Sequence, residues 1–393
     1  VVIWSIGNEM YERAGAEGQR IAHELAGRIR ELDATRPVGA GVNGVGAGGD
    51  WTQLDPLYAA LDVAGYNYEL TRHAADHARL PQRVIMSSES YQSEAFTNWA
   101  IVQDHPYVIG DFVWSAMDYL GEAGIGQVYP PGQPVLKHWE GNHYPWHGAY
   151  CGDIDLIGWR KPASHYRNVV ENAGEKLYMA VIAPTADGKP WNLSPWSMPP
   201  AAPSWTWPTP VGTPLTVEVY SRYEAVRLSL NRKVIGEQPT TREQAFKATF
   251  IVPYAPGVLK VSGLRNGREA ETFVLKTAGE AAVLRLTVDR PQLRADGADL
   301  AFVTVEVLDR AGVPQLNATP LVHYELTGPG ALAGIGSGDL APEESYQANP
   351  RHLFQGRGLV VLRSGKTAGK VTLKATAPGL PAAEIAVTTV QPR

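Results

Sequence analysis

The sequence predicts a multidomain chain in which an α/β region built on a parallel sheet is followed by two antiparallel β-sandwiches. Three observations predict it. In the first part of the chain, short apolar runs alternate with helix-like stretches. From about residue 175 the segments become short alternating strands separated by Pro, Gly, Asn or Asp, and near residue 281 that texture begins again. At 393 residues the chain has room for about two to four domains, each with its own core.

The elements follow in order. The opening VVIWSIGNEM holds a β-branched, aromatic run from Val1 to Ile6, read as a buried strand that Gly7 ends just before Asn8 and Glu9. GQRIAHELAGRIRELD then sets Ile21, Leu25, Ile29 and Leu32 on one helical face. VGAGVN (38–43), DVAGYNY (62–68), RVIMSSE (83–89) and YVIGDFVW (107–114) supply four further strands. Run ends roughly 20 to 35 residues apart suit repeated strand–helix units. Five strands would also fit an open doubly wound sheet, but no Gly-rich phosphate loop follows any of them. LYMAVIAP, PLTVEVYS, AVRLSLN, KATFIVPY and VLKVSGL form the first sandwich pattern. AVLRLTVD, LAFVTVEVLD, LVHYELTG, GLVVLRS, KVTLKATA and EIAVTTVQ form the second. The Pro- and Trp-rich stretch 190–212 is either a long loop on the first sandwich or a packing surface.

Composition narrows the function classes. With 44% hydrophobic residues, 19% charged and a net charge of −5, the chain has no basic excess pointing to nucleic acid. No run approaches the ~18 apolar residues of a membrane span. The 11 Trp and 17 Tyr suit sugar recognition, although cores also take large rings. Cys151 is the only cysteine, which excludes an internal disulfide and a cysteine-based metal site. A first residue in mid-strand, with neither Met nor a signal segment, leads us to expect part of a longer protein. A periplasmic or extracellular location is expected.

Parallel α/β sheets and barrels carry their chemistry at the C-terminal ends of strands. Those ends present Asn8-Glu9, Asn43, Asn67-Tyr68, Glu89 and, after the fifth run, Trp114, Asp118 and Glu122. Two carboxylates flanking a bond are what glycoside hydrolysis needs, one to protonate the leaving oxygen and the other to attack carbon or activate water. His138, His143 and His147, with Glu140 among them, lack the i, i+4 helical spacing of a zinc pair, and Pro145 interrupts them. That stretch is read instead as a loop bringing Trp139 and Trp146 toward sugar subsites, and no metal ligands are assigned. Asp153 and Asp155 are expected to stabilise the closing segment of the α/β region.

WSIGNEM, RVIMSSES, VIGDFVWSAMDYLGEAGIG and GDIDLIGWRKPASHYRNVV, in that order and spacing, resemble glycoside hydrolase family 2, in its β-galactosidase-like branch. GPGALAGIGSGD and HLFQGRGLVVLRS resemble its last domain, so the likeness covers essentially the whole chain. The resemblance implies a partial (β/α)8 TIM barrel (strands 4 to 8) over 1–172, then immunoglobulin-like β-sandwiches over 173–278 and 279–393. It implies a retaining exo-β-glycosidase, first a β-galactosidase and second a β-glucuronidase; a non-catalytic carbohydrate-binding or adhesion protein is the competing class. Glu9 would be the general acid/base and Glu89 the nucleophile, facing each other across the barrel mouth. Asn8 would bind the 2-hydroxyl, Tyr68 (in preference to Tyr66) would hold Glu89, and Trp114 would floor the sugar site. Asn67, Asp118 and Glu122 would make further substrate contacts. Arg72 is the candidate partner for a glucuronate carboxylate. No cofactor is required by this reading, with Mg²⁺ or Na⁺ left open, and the partner is a β-galactoside rather than nucleic acid or membrane.

Overall fold

The computed structural model describes residues 1–45 and 49–392. The chain divides into two compact units, Val1–Ala116 and Met117–Arg393. The expected first domain ran on to residue 172, whereas the segment from Met117 groups with the sandwiches.

The first unit is a five-stranded sheet of β1 (Trp4–Asn8), β2 (Val38–Val42), β3 (Val63–Asn67), β4 (Ile85–Ser90) and β5 (Val108–Val113). Neighbours follow sequence order and every pair is parallel. That order contains no reversal of the kind that makes a switch point in a doubly wound sheet. Strand parity explains the two faces. Ala40, Val42, Ala64 and Tyr66 join Leu54, Leu57 and Tyr58 in one apolar core. Gly41 and Gly65 point the other way, toward Asn8 and Asn67 and toward Ser88.

Helix α1 (Ala16–Leu32) corrects the expected face. Its buried positions are Gly18, Ala22 and Ala26, while Leu25 is 40% and Leu32 71% exposed. A Cβ on Gly18 would stand 2.2 Å from the Glu12 carbonyl oxygen, so close approach rather than apolar bulk selects this face. Beneath the sheet a buried polar network replaces further apolar packing. Asp76 accepts from Trp51 Nε1 and from the Tyr66 hydroxyl, each at 2.6 Å, and pairs with Arg83 at 3.2 Å.

In the second unit, Leu177–Ile182, Pro214–Ser221, Lys247–Pro253 and Ala201–Ala202 make one antiparallel sheet. It shares a core with the sheet of Ala225–Leu230, Lys233–Pro239, Val258–Arg265 and Arg268–Lys276. Trp205, from the Pro- and Trp-rich stretch, is fully buried in that core and donates to the Ala255 carbonyl at 2.9 Å. A second pair of sheets, built around Leu300–Asp309 and Gly369–Ala377, encloses another apolar core.

Candidate active site

The ends of β1, β3 and β4 are tied together by register and by hydrogen bonds that continue past the strands. Asn8 pairs with Gly41 and Asn67 with Glu89. The Glu9 amide donates to the Gly41 carbonyl at 2.9 Å, and the Tyr68 amide to the Glu89 carbonyl at 2.8 Å. Glu9 and Tyr68 both adopt positive φ, 47° and 58°. Left-handed backbone costs a non-glycine residue about 1 kcal/mol or more, and such residues cluster at functional sites.

The side chains converge on Asn67. Its Nδ2 donates to Glu9 Oε1 at 2.9 Å and to Asn8 Oδ1 at 3.0 Å, and its Oδ1 accepts from the Ser88 hydroxyl at 2.6 Å. Asn67 is 1% exposed, and both ends of its amide are engaged within the cluster. The expected substrate contact at Asn67 is therefore corrected: it bridges the carboxylate-bearing strands. Gly41 leaves the room for this, since a Cβ there would lie 2.3 Å from Asn8 Oδ1 and 3.0 Å from Asn67 Oδ1.

Glu89 reaches the same cluster. Burial pushes its carboxyl above the ordinary value, and the neighbouring Glu9 charge pushes the same way. Hydrogen bonds from the Tyr68 hydroxyl and from the Asn8 and Asn67 amides oppose that rise by favouring the charged form. Tyr68 rather than Tyr66 serves Glu89: Tyr66 is fully buried on the opposite face, its hydroxyl given to Asp76. Trp114 lies half-buried just past β5, its amide donating to the Ser90 carbonyl at 3.0 Å, and the Trp114–Ser115 peptide is cis.

Two expected contacts lie in the second unit. The Asp118 side chain is fully buried, accepting from Lys161 Nζ and the Gly152 amide, each at 2.8 Å. Burial raises its pKa to about 6 against the opposing pull of Lys161. Asp118 thus holds a closing segment rather than facing a ligand, a correction with a plain cause, since a buried carboxylate needs its partners inside. Glu122 is exposed and accepts from the Tyr119 hydroxyl. Asp153 pairs with Arg167 at 2.9 Å, and Asp155 caps the amides of Ile157 and Trp159. His143 faces Gln127 at 3.0 Å and His147 the Tyr346 hydroxyl at 2.7 Å. Among the described residues no group of three or more His, Cys, Asp or Glu could hold a metal ion. Arg72 is paired with Glu69 at 2.6 Å and lies over the Trp51 ring at 4.8 Å.

Residues 284–386 match the family model described as glycoside hydrolase family 2 C-terminal domain 5, and 212–271 match a domain of unknown function, DUF4982. A glycosyl hydrolase family 2 member from Bacteroides cellulosilyticus superposes with a TM-score of 0.89 at 38% identity, over all of this chain and 49% of that one. The chain belongs to glycoside hydrolase family 2. It is also 27% identical to a protein of Bacteroides ovatus named β-galactosidase BoGH2A, over 95% of this chain and 44% of that protein. A Formosa agariphila protein named putative β-glucuronidase is 25% identical over 68% of this chain and 22% of its own length. The family 2 chain thus spans about half or less of the relatives it matches. What the strand ends bring together is Asn8, Glu9, Asn67, Tyr68 and Glu89. Ser88 was missed because a serine within SSES reads as ordinary strand polarity. Its strand parity, two residues from Met86, was the available signal.

Proposed function

We propose that the chain carries the catalytic carboxylates of a retaining exo-β-glycosidase that removes terminal β-galactosyl groups. The observation that carries this reading is the Asn67 amide: it touches Glu9 and is hydrogen-bonded within a cluster that includes Glu89, so two carboxyl groups share one polar site. In double displacement Glu89 attacks the anomeric carbon while Glu9 donates a proton to the leaving oxygen. The glycosyl–Glu89 ester forms as the glycosidic C–O bond breaks. Glu9, now ionised, then takes a proton from water, which releases the sugar and restores both groups. Asn8 binds the 2-hydroxyl and Trp114 floors the sugar. The sequential parallel sheet supplies strands 4 to 8 of a (β/α)8 barrel, followed by two immunoglobulin-like sandwiches with boundaries near 172 and 278.

β-Galactosidase is preferred because a relative bearing that name aligns with 95% of this chain, and because Arg72 is already paired with Glu69. β-Glucuronidase is the second reading, supported by the Formosa relative's name. The test is release of p-nitrophenol from the β-galactoside and the β-glucuronide, by this chain and by a longer protein carrying it. Glu9→Gln and Glu89→Gln should each lower kcat by at least about 10²-fold, and NMR should show the β-anomer as first product. First appearance of the α-anomer, or turnover unchanged in both variants, would overturn the assignment.

A further inference from the structure

The second unit holds a cavity of about 290 Å³, walled by the segment around Trp159 and by both sandwiches. The glycosidase chemistry makes no use of it. The resemblance to HLFQGRG had singled out one wall without giving it a task. There a tight hairpin bridges Phe354 to Arg357, with positive φ at Gln355 (49°) and Gly356 (69°). Positive φ at both central positions is the two-residue turn that matches strand twist. Gly356 is required, because a Cβ there would stand 2.4 Å from the Gln315 carbonyl oxygen.

The hairpin delivers Arg357 into a poorly compensated position. Its guanidinium lies over Trp159, 4.5 Å from the ring centroid, and Nη2 donates to Gln355 Oε1 at 3.2 Å. The Asp155 carboxylate is at the limit of pairing, 4.0 Å away, with one oxygen already held by two backbone amides. Glu306, the other acid on the wall, is bound to Arg285 at 2.6 Å. Arg357 Nε is buried with no hydrogen-bond partner among the described residues, and so is the hydroxyl of Tyr178, a residue of the same cavity wall. Phe273 and Phe354 complete an aromatic lining. Buried donors left unmet are costly, and a guanidinium fork is shaped for a planar carboxylate. The volume corresponds to roughly ten waters, enough for one ring with a carboxylate.

We propose that this cavity binds a small carboxylate with a flat apolar body, its charge paired with Arg357 and Tyr178 and its body against Phe273 and Phe354. Calorimetric titration of the full chain with benzoate, benzyl alcohol and inorganic phosphate tests it. Benzoate should saturate one site, and benzyl alcohol and phosphate should each bind at least about tenfold more weakly, since charge and ring are both needed. Arg357→Met should weaken benzoate by about tenfold or more, and the isosteric Tyr178→Phe should weaken it severalfold. Glu9→Gln should bind benzoate as the parent does, which separates this site from the carboxylate pair. No benzoate binding at millimolar concentration, or equal binding of benzyl alcohol or phosphate, overturns the proposal. So does undiminished binding in Arg357→Met. Should that variant lack a cooperative unfolding transition, Tyr178→Phe decides, and unchanged affinity there overturns it.

Discussion

Ser88 shows how one hydroxyl can govern a site it does not enter. By donating to Asn67 Oδ1 it fixes which way the amide points, and so keeps Nδ2 on Glu9 and Asn8. Ser88→Ala frees the amide to turn and should lower kcat by about tenfold, one hydrogen bond's worth, with little change in KM. An unchanged kcat would remove Ser88 from the positioning chain. Gly41→Ala pushes a methyl onto both amides. It should cost activity more than its ~1–3 kcal/mol of overpacking costs stability, as read from kcat beside the unfolding midpoint. The raised Glu89 pKa has a signed consequence. A nucleophile must be ionised, so activity should fall with decreasing pH on a limb lying above the ordinary glutamate range. Tyr68→Phe, which removes a bond to the charged form, should move that limb higher still. A limb that stays put or moves lower would refute the arrangement.

At the scale of elements, α1 illustrates what a helical pattern cannot tell. Ile21, Leu25, Ile29 and Leu32 form a convincing apolar stripe, yet the buried positions are Gly18, Ala22 and Ala26, because close approach, as of Gly18 to the Glu12 backbone, depends on the partner surface. The sandwiches miss in the opposite sense. Lys233–Pro239 and most of Arg268–Lys276 are too exposed to alternate apolar with polar, and Gly330–Gly336 is glycine-rich, so none read as strands. Hydrogen bonding to neighbours makes them strands all the same. The Asp118–Lys161 pair carries a pH prediction. Its folded pKa of about 6 lies above the ordinary 3.8, so the folded state holds the proton more tightly. This contribution to stability is full below the ordinary value and is lost as pH rises through about 6, on the order of 2–3 kcal/mol. Denaturant titrations of parent and Asp118→Asn should converge in acid and diverge in the parent's slope toward neutrality; parallel curves would count against it.

At the scale of the molecule, the five-stranded sheet has two outer strands. β1 and β5 each pair with one neighbour among the described residues, and Trp4, Ile109 and Phe112 are exposed along them. Unpaired strand edges recruit other strands. The chain by itself should therefore associate reversibly as its concentration rises, read by sedimentation velocity, and a monomer at every concentration would contradict this. None of the described helices is long and apolar enough to cross a membrane.

All five runs of the first unit appear as strands, and every run named in the sandwiches does too, because burial of one or both strand faces writes itself into local periodicity. The pairing of Asn8, Glu9 and Glu89 as strand-end polar residues was equally legible, since a carboxylate directly behind an apolar run is a local signal. Which atoms meet was not. Asn67 turned from ligand contact to bridge, Asp118 from rim to buried ion pair, and Arg357 from unremarked hairpin residue to cavity wall. Each depends on contacts between residues far apart in the chain, on register and on the space left by glycines such as Gly41. Local sequence sets the elements, whereas only tertiary packing decides where a polar group finds its partner.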